Sequence, residues 1–200
     1  AVDPRQLSVA ASLGHGRWTA LLRIKWPLLT RAIASAWAVG FAVSVAQYLH
    51  LDASDIALAV LPLSFDYGQN QLLSTWRAGG CVVPLDYLAP RDVIKACGKY
   101  GVTTLAAVPP LWVQLVEQEW PENAVSSMRR LTNSGGALTP SLVKMLRSIF
   151  CSKTDIFAMY GLTEAFRSTY LDPSLIDENP TSMGMAIPFA EIMVVAPDGS

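Results

Sequence analysis

Short apolar runs alternate with helix-length segments over most of this chain, and this alternation restricts the fold more than any other feature. The sequence predicts five strands, at residues 56–61, 81–85, 103–108, 131–134 and 155–159. The predicted helices between them are about ten to fifteen residues long, which is typical of crossover connections. Strands joined by crossovers pair in parallel, and helices cover both faces of such a sheet. We therefore predict an α/β fold with mainly parallel sheets flanked by helices.

Prolines and glycines mark where the predicted helices begin and end. Pro90 and Pro140 stand where a first helical turn tolerates proline, and Thr139 is the expected N-cap of the second of these helices. Gly101 is placed to end the helix that starts at Pro90. Residues 31–49 also have the length and composition of a helix.

The composition is that of a chain with a large core. Of the 200 residues, 52% are hydrophobic and only 16% are charged, which excludes a disordered chain. The formal net charge is −1, so the chain lacks the overall excess of positive charge that is typical of proteins that bind nucleic acid. We therefore expect no nucleic acid partner.

The cysteine pattern and the hydropathy of the chain indicate the cellular compartment in which we expect the protein. Cys81, Cys97 and Cys151 are scattered, have no C-x-x-C spacing and share the chain with only two histidines. This pattern argues against a zinc site and favours a reducing compartment, so we expect a cytoplasmic protein. The uncharged run 32–51 contains several polar residues, which favours a buried or amphipathic helix over a membrane span. A membrane-attached interaction protein is the competing interpretation of that run.

Functional residues are expected directly after the strands, because ligands of parallel sheets bind beyond the carboxyl ends of the strands. Three segments qualify, at residues 64–68, 133–137 and 160–164. In the last of these, Tyr160 could stack on a base, Thr163 could bond a phosphate and Glu164 could hold Mg2+. The alternative is an ordinary loop in which Tyr160 fills the core.

The other two segments have equally plain alternatives. Gly135 and Gly136 allow a backbone to approach a flat ligand closely, or they form only the turn that leads into the next helix. Asp66 is able to pair with a cationic substrate group, and capping of the following helix is the simpler interpretation. The sequence contains no G-x-S-x-G elbow, which leaves a hydrolase with little support.

Taken in order, these segments resemble the adenylate-forming superfamily of acyl-CoA synthetases, luciferases and peptide-synthetase adenylation domains. The stretch 160–170, YGLTEAFRSTY, looks most like the acyl-CoA ligases associated with bacterial exosortase systems. The resemblance covers roughly residues 32–200, and its motifs are LPLSFDYG (61–68), AVPPLW (107–112), NSGGA (133–137), YGLTE (160–164) and SMGMAIP (182–188).

The resemblance implies a two-step reaction with ATP, Mg2+ and a thiol. A carboxylic acid substrate attacks the α-phosphate of ATP, and coenzyme A (CoA) or a carrier-protein thiol then displaces AMP. Thr163 and Glu164 would be the catalytic residues, with Glu164 as the metal ligand. The residues implied for binding ATP or AMP are Gly135, Gly136, Ala137, Tyr160, Gly161 and Thr163; those implied for the acyl pocket are Phe65, Asp66 and Trp112. Asp66 also sits where amino-acid-activating relatives place an aspartate for the substrate ammonium, so amino acid adenylation stays an alternative.

The beginning and the end of the chain depart from that family. The family has a phosphate loop that ends in Pro-Lys-Gly before the helix at Arg31, and only Lys25 matches it here. Residues 1–50 also carry five basic residues against one acidic residue. We therefore expect an atypical start over 1–31, with a frameshifted reading as one hypothesis, and a partial AMP-binding N-terminal domain over 32–200.

The turn at 197–199 predicts that more protein follows Ser200. The expected chain is an internal fragment of the large N-terminal domain of an acyl-CoA synthetase-like fold, without the small C-terminal domain. Such a fragment would not catalyse the full reaction alone. An inactive nucleotide-binding relic is the remaining alternative.

Overall fold

The computed structural model describes residues 39–162 and 166–196, and it divides the chain into two compact units, 1–41 and 42–200. Within the described residues, helix α1 covers 39–48. The predicted atypical start at 1–31 and the turn at 197–199 lie outside the described residues. In chain order the elements that follow α1 are β1 (Ile56–Ala59), α2 (Asp66–Arg77), β2 (Cys81–Pro84), α3 (Pro90–Tyr100), β3 (Thr104–Ala107), α4 (Pro109–Val116), α5 (Glu122–Ser127), β4 (Arg130–Asn133), α6 (Pro140–Ile149), β5 (Asp155–Leu162), β6 (Phe166–Tyr170), a 3₁₀ helix (Pro173–Leu175) and β7 (Met185–Ala186).

The strands form one sheet in the order β2-β1-β3-β4-β5-β6-β7. Pairing is parallel from β2 through β5, and it becomes antiparallel where β6 and β7 are added at one edge. Every residue of β3 and of β4 is buried, as expected for central parallel strands covered on both faces. The predicted α/β fold with a mainly parallel sheet is therefore confirmed.

The helix boundaries follow the predicted signals. Pro90 opens α3, and Gly101 ends it in the left-handed conformation with φ of 61°. Thr139 is the N-cap of α6, and its hydroxyl oxygen accepts a hydrogen bond from the backbone N–H of Leu142 at 3.3 Å. Among the residues that the structure describes, no helix is long and apolar enough to cross a membrane.

Three features differ from the sequence prediction. Strand β5 continues past Met159 to Leu162 because its backbone pairs with β6, so Tyr160 and Gly161 belong to a strand and not to a loop. Helix α5 and the strands β6 and β7 were not predicted. The interpretation of Asp66 as a helix cap is wrong, because Phe65 is the N-cap of α2 and Asp66 lies inside its first turn.

A buried carboxylate joins the amino ends of three strands. The side chain of Asp55, which directly precedes β1, is 0% exposed. Its Oδ1 accepts hydrogen bonds from Nη1 of Arg130 at 2.6 Å and from the hydroxyl of Thr103 at 2.8 Å. Oδ2 accepts from the backbone N–H of Asp52 at 2.8 Å. The ion pair between Asp55 and Arg130 therefore belongs to the core.

We expect the substitution Asp55→Ala to lower the free energy of unfolding by about 3–5 kcal/mol, because it leaves Arg130 as an uncompensated buried charge. The measurement is denaturant unfolding of the purified chain. The matched control is Asp52→Ala in the same turn, because Asp52 is exposed and pairs with Arg129 across 3.5 Å. A loss as large for Asp52→Ala as for Asp55→Ala would contradict this account of the buried pair.

Candidate functional site

A cavity of about 470 Å³ lies at the carboxyl ends of β4 and β5. Its walls come from the end of β4, the turn that follows β4, the second half of β5 and a segment beyond the 3₁₀ helix. The lining residues are Asn133, Gly135, Gly136, Ala137, Leu138, Ala158, Met159, Tyr160, Gly161, Leu162, Pro180, Thr181, Ser182 and Met183. The cavity therefore occupies the place where parallel α/β sheets bind their ligands.

The turn after β4 packs tightly against the start of α4. Gly135 has φ of 78°, and a Cβ there would lie 3.3 Å from Cγ1 of Val108. A Cβ on Gly136 would lie 3.0 Å from Cγ of Pro109. The positive φ favours glycine at 135, and the close packing favours glycine at 136. The turn therefore lines the cavity with backbone atoms at both positions.

Asn133 contributes a buried acceptor at the end of β4. Its Nδ2 donates a hydrogen bond to the carbonyl oxygen of Gly136 at 2.9 Å, which holds the turn. Its Oδ1 is buried and has no hydrogen-bond partner. A buried carbonyl oxygen without a donor is costly, so this atom fits a ligand that brings an N–H group. Asn133 was not predicted as a site residue, although it stands in the expected position directly at a strand end.

Tyr160 supplies an aromatic surface on the β5 side of the cavity. Its side chain is 41% exposed, although it lies within a strand whose neighbouring residue Met159 is buried. A ring in this setting is available for stacking against a flat ligand. Tyr160 and Gly161 thus share one cavity with the glycine turn.

The opposite wall was not predicted as part of the site. It consists of residues 180–183, just before Gly184, which has φ of 74°. A Cβ on Gly184 would overlap the carbonyl oxygen of Tyr170 on β6. Glycine at this position therefore lets the segment approach the sheet and close the cavity.

The residues expected at an acyl pocket are less closely grouped. Phe65 is half-buried, and Cζ of its ring is 4.0 Å from where a Cβ on Gly135 would stand. Asp66 is half-buried in the first turn of α2. Trp112 is buried in α4, is not among the residues that line the cavity, and its indole N–H has no hydrogen-bond partner.

The expected phosphate and metal ligands cannot be placed in this cavity, because Thr163 and Glu164 lie outside the described residues. Within residues 39–162 and 166–196, no group of three or more His, Cys, Asp or Glu side chains could hold a metal ion. The expectation of Mg2+ therefore rests on Glu164.

Fold and cavity together define a class: an α/β domain with a cavity at the carboxyl edge of a mainly parallel sheet. The comparisons with known proteins agree with this class. A family model described as AMP-binding enzyme matches residues 29–200. The chain belongs to the AMP-binding enzyme family, which confirms the resemblance at the level of the superfamily.

The names and titles of individual relatives and solved structures mention different acids. 4-Coumarate--CoA ligase 2 of Oryza sativa subsp. japonica is 35% identical over 158 residues, which cover 75% of this chain and 27% of the rice protein. A structure of VinN with L-aspartate has a TM-score of 0.64 at 30% identity and covers 74% of this chain and 37% of that one. O-succinylbenzoate coenzyme A synthetase (MenE) from Bacillus subtilis, in complex with ATP and magnesium ion, has a TM-score of 0.69 at 28% identity, over 80% of this chain and 32% of MenE. The chain thus spans between 27% and 37% of the length of these proteins.

Proposed function

We propose that this chain carries the nucleotide-binding part of an ATP-dependent ligase that activates a carboxylic acid. A carboxylate oxygen forms a bond to the α-phosphorus of ATP, the bond to pyrophosphate breaks, and an acyl-adenylate results. The thiol of CoA, or of a carrier protein, then attacks the acyl carbon and AMP leaves. The observation that carries the proposal is the cavity formed by the glycine turn, Asn133 and Tyr160 in a chain of the AMP-binding family.

Adenine suits this cavity in shape and in hydrogen-bonding character. Its flat ring system matches the bare backbone of Gly135 and Gly136 on one side and the exposed ring of Tyr160 on another. Its exocyclic amino group is a donor for the unpartnered Oδ1 of Asn133. Ala137 and Gly161 complete the part of the wall that the family resemblance assigns to the nucleotide.

The chemical step needs positive charge and donors near the phosphates. In our proposal Thr163 donates a hydrogen bond to a phosphate oxygen and Glu164 holds Mg2+. A bound Mg2+ would neutralise charge that builds on the phosphate oxygens, which is the main contribution in phosphoryl chemistry. Thr163 and Glu164 follow directly on β5, so the strand that carries Tyr160 would also orient them.

The acid would bind next to the glycine turn, where Phe65 lies. Phe65 and Trp112 would border the acyl group, and residues 32–200 would be part of a large N-terminal domain. Activation of an amino acid is the second candidate, because VinN was solved with L-aspartate and Asp66 is half-buried beside Phe65. An ammonium-bearing acid should bind more tightly than its des-amino analogue only in that case.

The finer assignment is to ligases associated with exosortase systems, and the motif at 160–170 supports it. Binding of ATP fits both a ligase and an inactive nucleotide-binding relic, so it does not separate them. Release of pyrophosphate in the presence of an acid does, because only a ligase forms the acyl-adenylate.

Substitution of Tyr160 tests the stacking role. We expect Tyr160→Ala to weaken ATP binding by roughly 5-fold to 150-fold, because stacking of an aromatic side chain on a base contributes about 1–3 kcal/mol. The measurement is isothermal titration calorimetry with Mg2+ present. Tyr100→Ala is the matched control, since Tyr100 is 42% exposed on α3, outside the cavity. Equal effects of the two substitutions would refute the stacking role.

Substitution of Asn133 tests how the base is recognised. Inosine triphosphate carries an oxo group in place of the 6-amino group, so we expect the unsubstituted protein to prefer ATP by about tenfold, as for one hydrogen bond. Asn133→Leu should remove the preference. Asn123→Leu is the control, because Asn123 also donates from Nδ2 to a glycine carbonyl, that of Gly98 at 3.0 Å, outside the cavity. A preference that survives in Asn133→Leu would show that another group reads the base.

A further inference from the structure

Met183 is a solvent-exposed methionine at the wall of the cavity. All six methionines of the chain lie within the described residues, and two of them, Met159 and Met183, line the cavity. Met159 is 6% exposed, and its Sδ accepts a hydrogen bond from the hydroxyl of Tyr48 at 2.9 Å. Met183 is 51% exposed. Of the two, Met183 is therefore the one that a solute in the surrounding water can reach.

The backbone around Met183 is fixed on both sides. The backbone N–H of Ser182 donates a hydrogen bond to the carbonyl oxygen of Asn179 at 3.0 Å, and that of Gly184 donates to Oγ of Ser182 at 3.1 Å. Gly184 also packs directly against the carbonyl group of Tyr170. Because these contacts hold the segment in place, a chemical change in the Met183 side chain alters the cavity wall and is not absorbed by a shift of the backbone.

A thioether that is exposed to solvent is open to one reversible covalent modification, oxidation to the sulfoxide. With hydrogen peroxide as the oxidant, a sulfur lone pair forms a bond to one peroxide oxygen and the O–O bond breaks. The proton of the transferred oxygen goes to the departing oxygen, which leaves as water, so sulfur loses two electrons and the peroxide gains them. Methionine sulfoxide reductases reverse the step. The modification therefore converts an apolar side chain into a polar one without permanent damage.

We propose that Met183 is a regulatory oxidation site: its sulfoxide weakens ATP binding, and bound ATP shields the thioether from oxidants. This inference rests on the proposed function, in which the base of ATP occupies the cavity that Met183 lines. The base would remove the sulfoxide oxygen from water, and its exocyclic amino group is already assigned to Asn133, so the oxygen gains no donor. Burial of a polar group without a hydrogen bond is unfavourable, and we expect ATP affinity to fall roughly 5-fold to 150-fold.

Two other methionines provide matched comparisons within the same chain. Met185 lies in β7, two residues from Met183, and has the same exposed fraction of 51%, but it does not line the cavity. Met145 on α6 is 42% exposed and also lies outside the cavity. Exposure alone therefore predicts similar oxidation of the three side chains, whereas a nucleotide in the cavity would cover only Met183.

Oxidative footprinting tests the shielding by ATP. The purified chain is treated with hydrogen peroxide, with and without ATP and Mg2+, and fragment-ion mass spectrometry gives the sulfoxide fraction at each methionine over time. We expect saturating ATP to slow the oxidation of Met183 several-fold and to leave the rates at Met145 and Met185 unchanged, because the bound base covers only the cavity wall.

Substitution separates the oxidation of Met183 from other effects of peroxide. Each protein is compared with itself before and after peroxide treatment, by calorimetric titration with ATP and Mg2+. We expect the unsubstituted protein and Met185→Leu to lose affinity as stated above, and a methionine sulfoxide reductase to restore it. Met183→Leu should keep the affinity that it has before treatment, because leucine has a similar volume and no thioether. This variant retains the exposed Cys81 and Cys151, so it also reports any effect of their oxidation.

Four results would overturn the inference about Met183. ATP leaves its oxidation rate unchanged, or ATP slows Met145 and Met185 as much as Met183. The unsubstituted protein keeps its ATP affinity once Met183 is oxidised, or Met183→Leu loses as much affinity on peroxide treatment as the unsubstituted protein. In each of these cases the untreated protein still binds ATP, so the proposed function stands. If the untreated protein does not bind ATP, the proposed function fails and this inference fails with it.

Discussion

The buried carboxylate of Asp55 is the interaction on which the rest of the sheet depends. Asp55 precedes β1, Thr103 precedes β3, and Arg130 opens β4, so hydrogen bonds to one side chain align the amino ends of three strands. Burying the charge of Asp55 is costly unless all of its hydrogen-bond partners are in place, so the fold favours the arrangement in which the three strand ends lie side by side. Strands that start level also end level, and the cavity forms where they end. The ion pair thus lies at the opposite edge of the sheet from the site that it helps to shape.

Much of this fold could be predicted because the strands and helices of its parallel part are marked by short segments of the sequence. Strands β1, β2 and β3 and most of β5 are apolar runs, and proline or glycine marks the ends of helices such as α3 and α6. The antiparallel edge could not be predicted in this way. Strand β6 lacks a clear apolar run, and β7 has only two residues, so both depend on pairing with β5 and its continuation. The role of Asp55 was also hidden, because burial of a charged residue is a property of the tertiary structure.

The candidate site was predictable to a similar degree. Gly135, Gly136, Ala137, Tyr160 and Gly161 were selected for their place after strands, and they line one cavity. The sequence did not identify the wall at 180–183 or the unpartnered Oδ1 of Asn133. The role of a polar side chain depends on which hydrogen-bond partners the fold brings to it. The same holds for Arg167, which the sequence presents as one of fifteen basic residues and the structure presents as a buried cation. Residues at the strand ends can be predicted from topology, whereas burial and the lack of a hydrogen-bond partner depend on packing.

The central claim is that the cavity between the glycine turn, β5 and residues 180–183 holds the base of ATP. The most direct measurement is photoaffinity labelling of the purified chain with 8-azido-ATP and Mg2+, followed by mass spectrometric mapping of the labelled peptides. The account predicts labels confined to peptides that contain residues 133–138, 158–162 or 180–183, and it predicts that excess ATP competes them away. Labels on other peptides, or labels that ATP does not compete away, would contradict it.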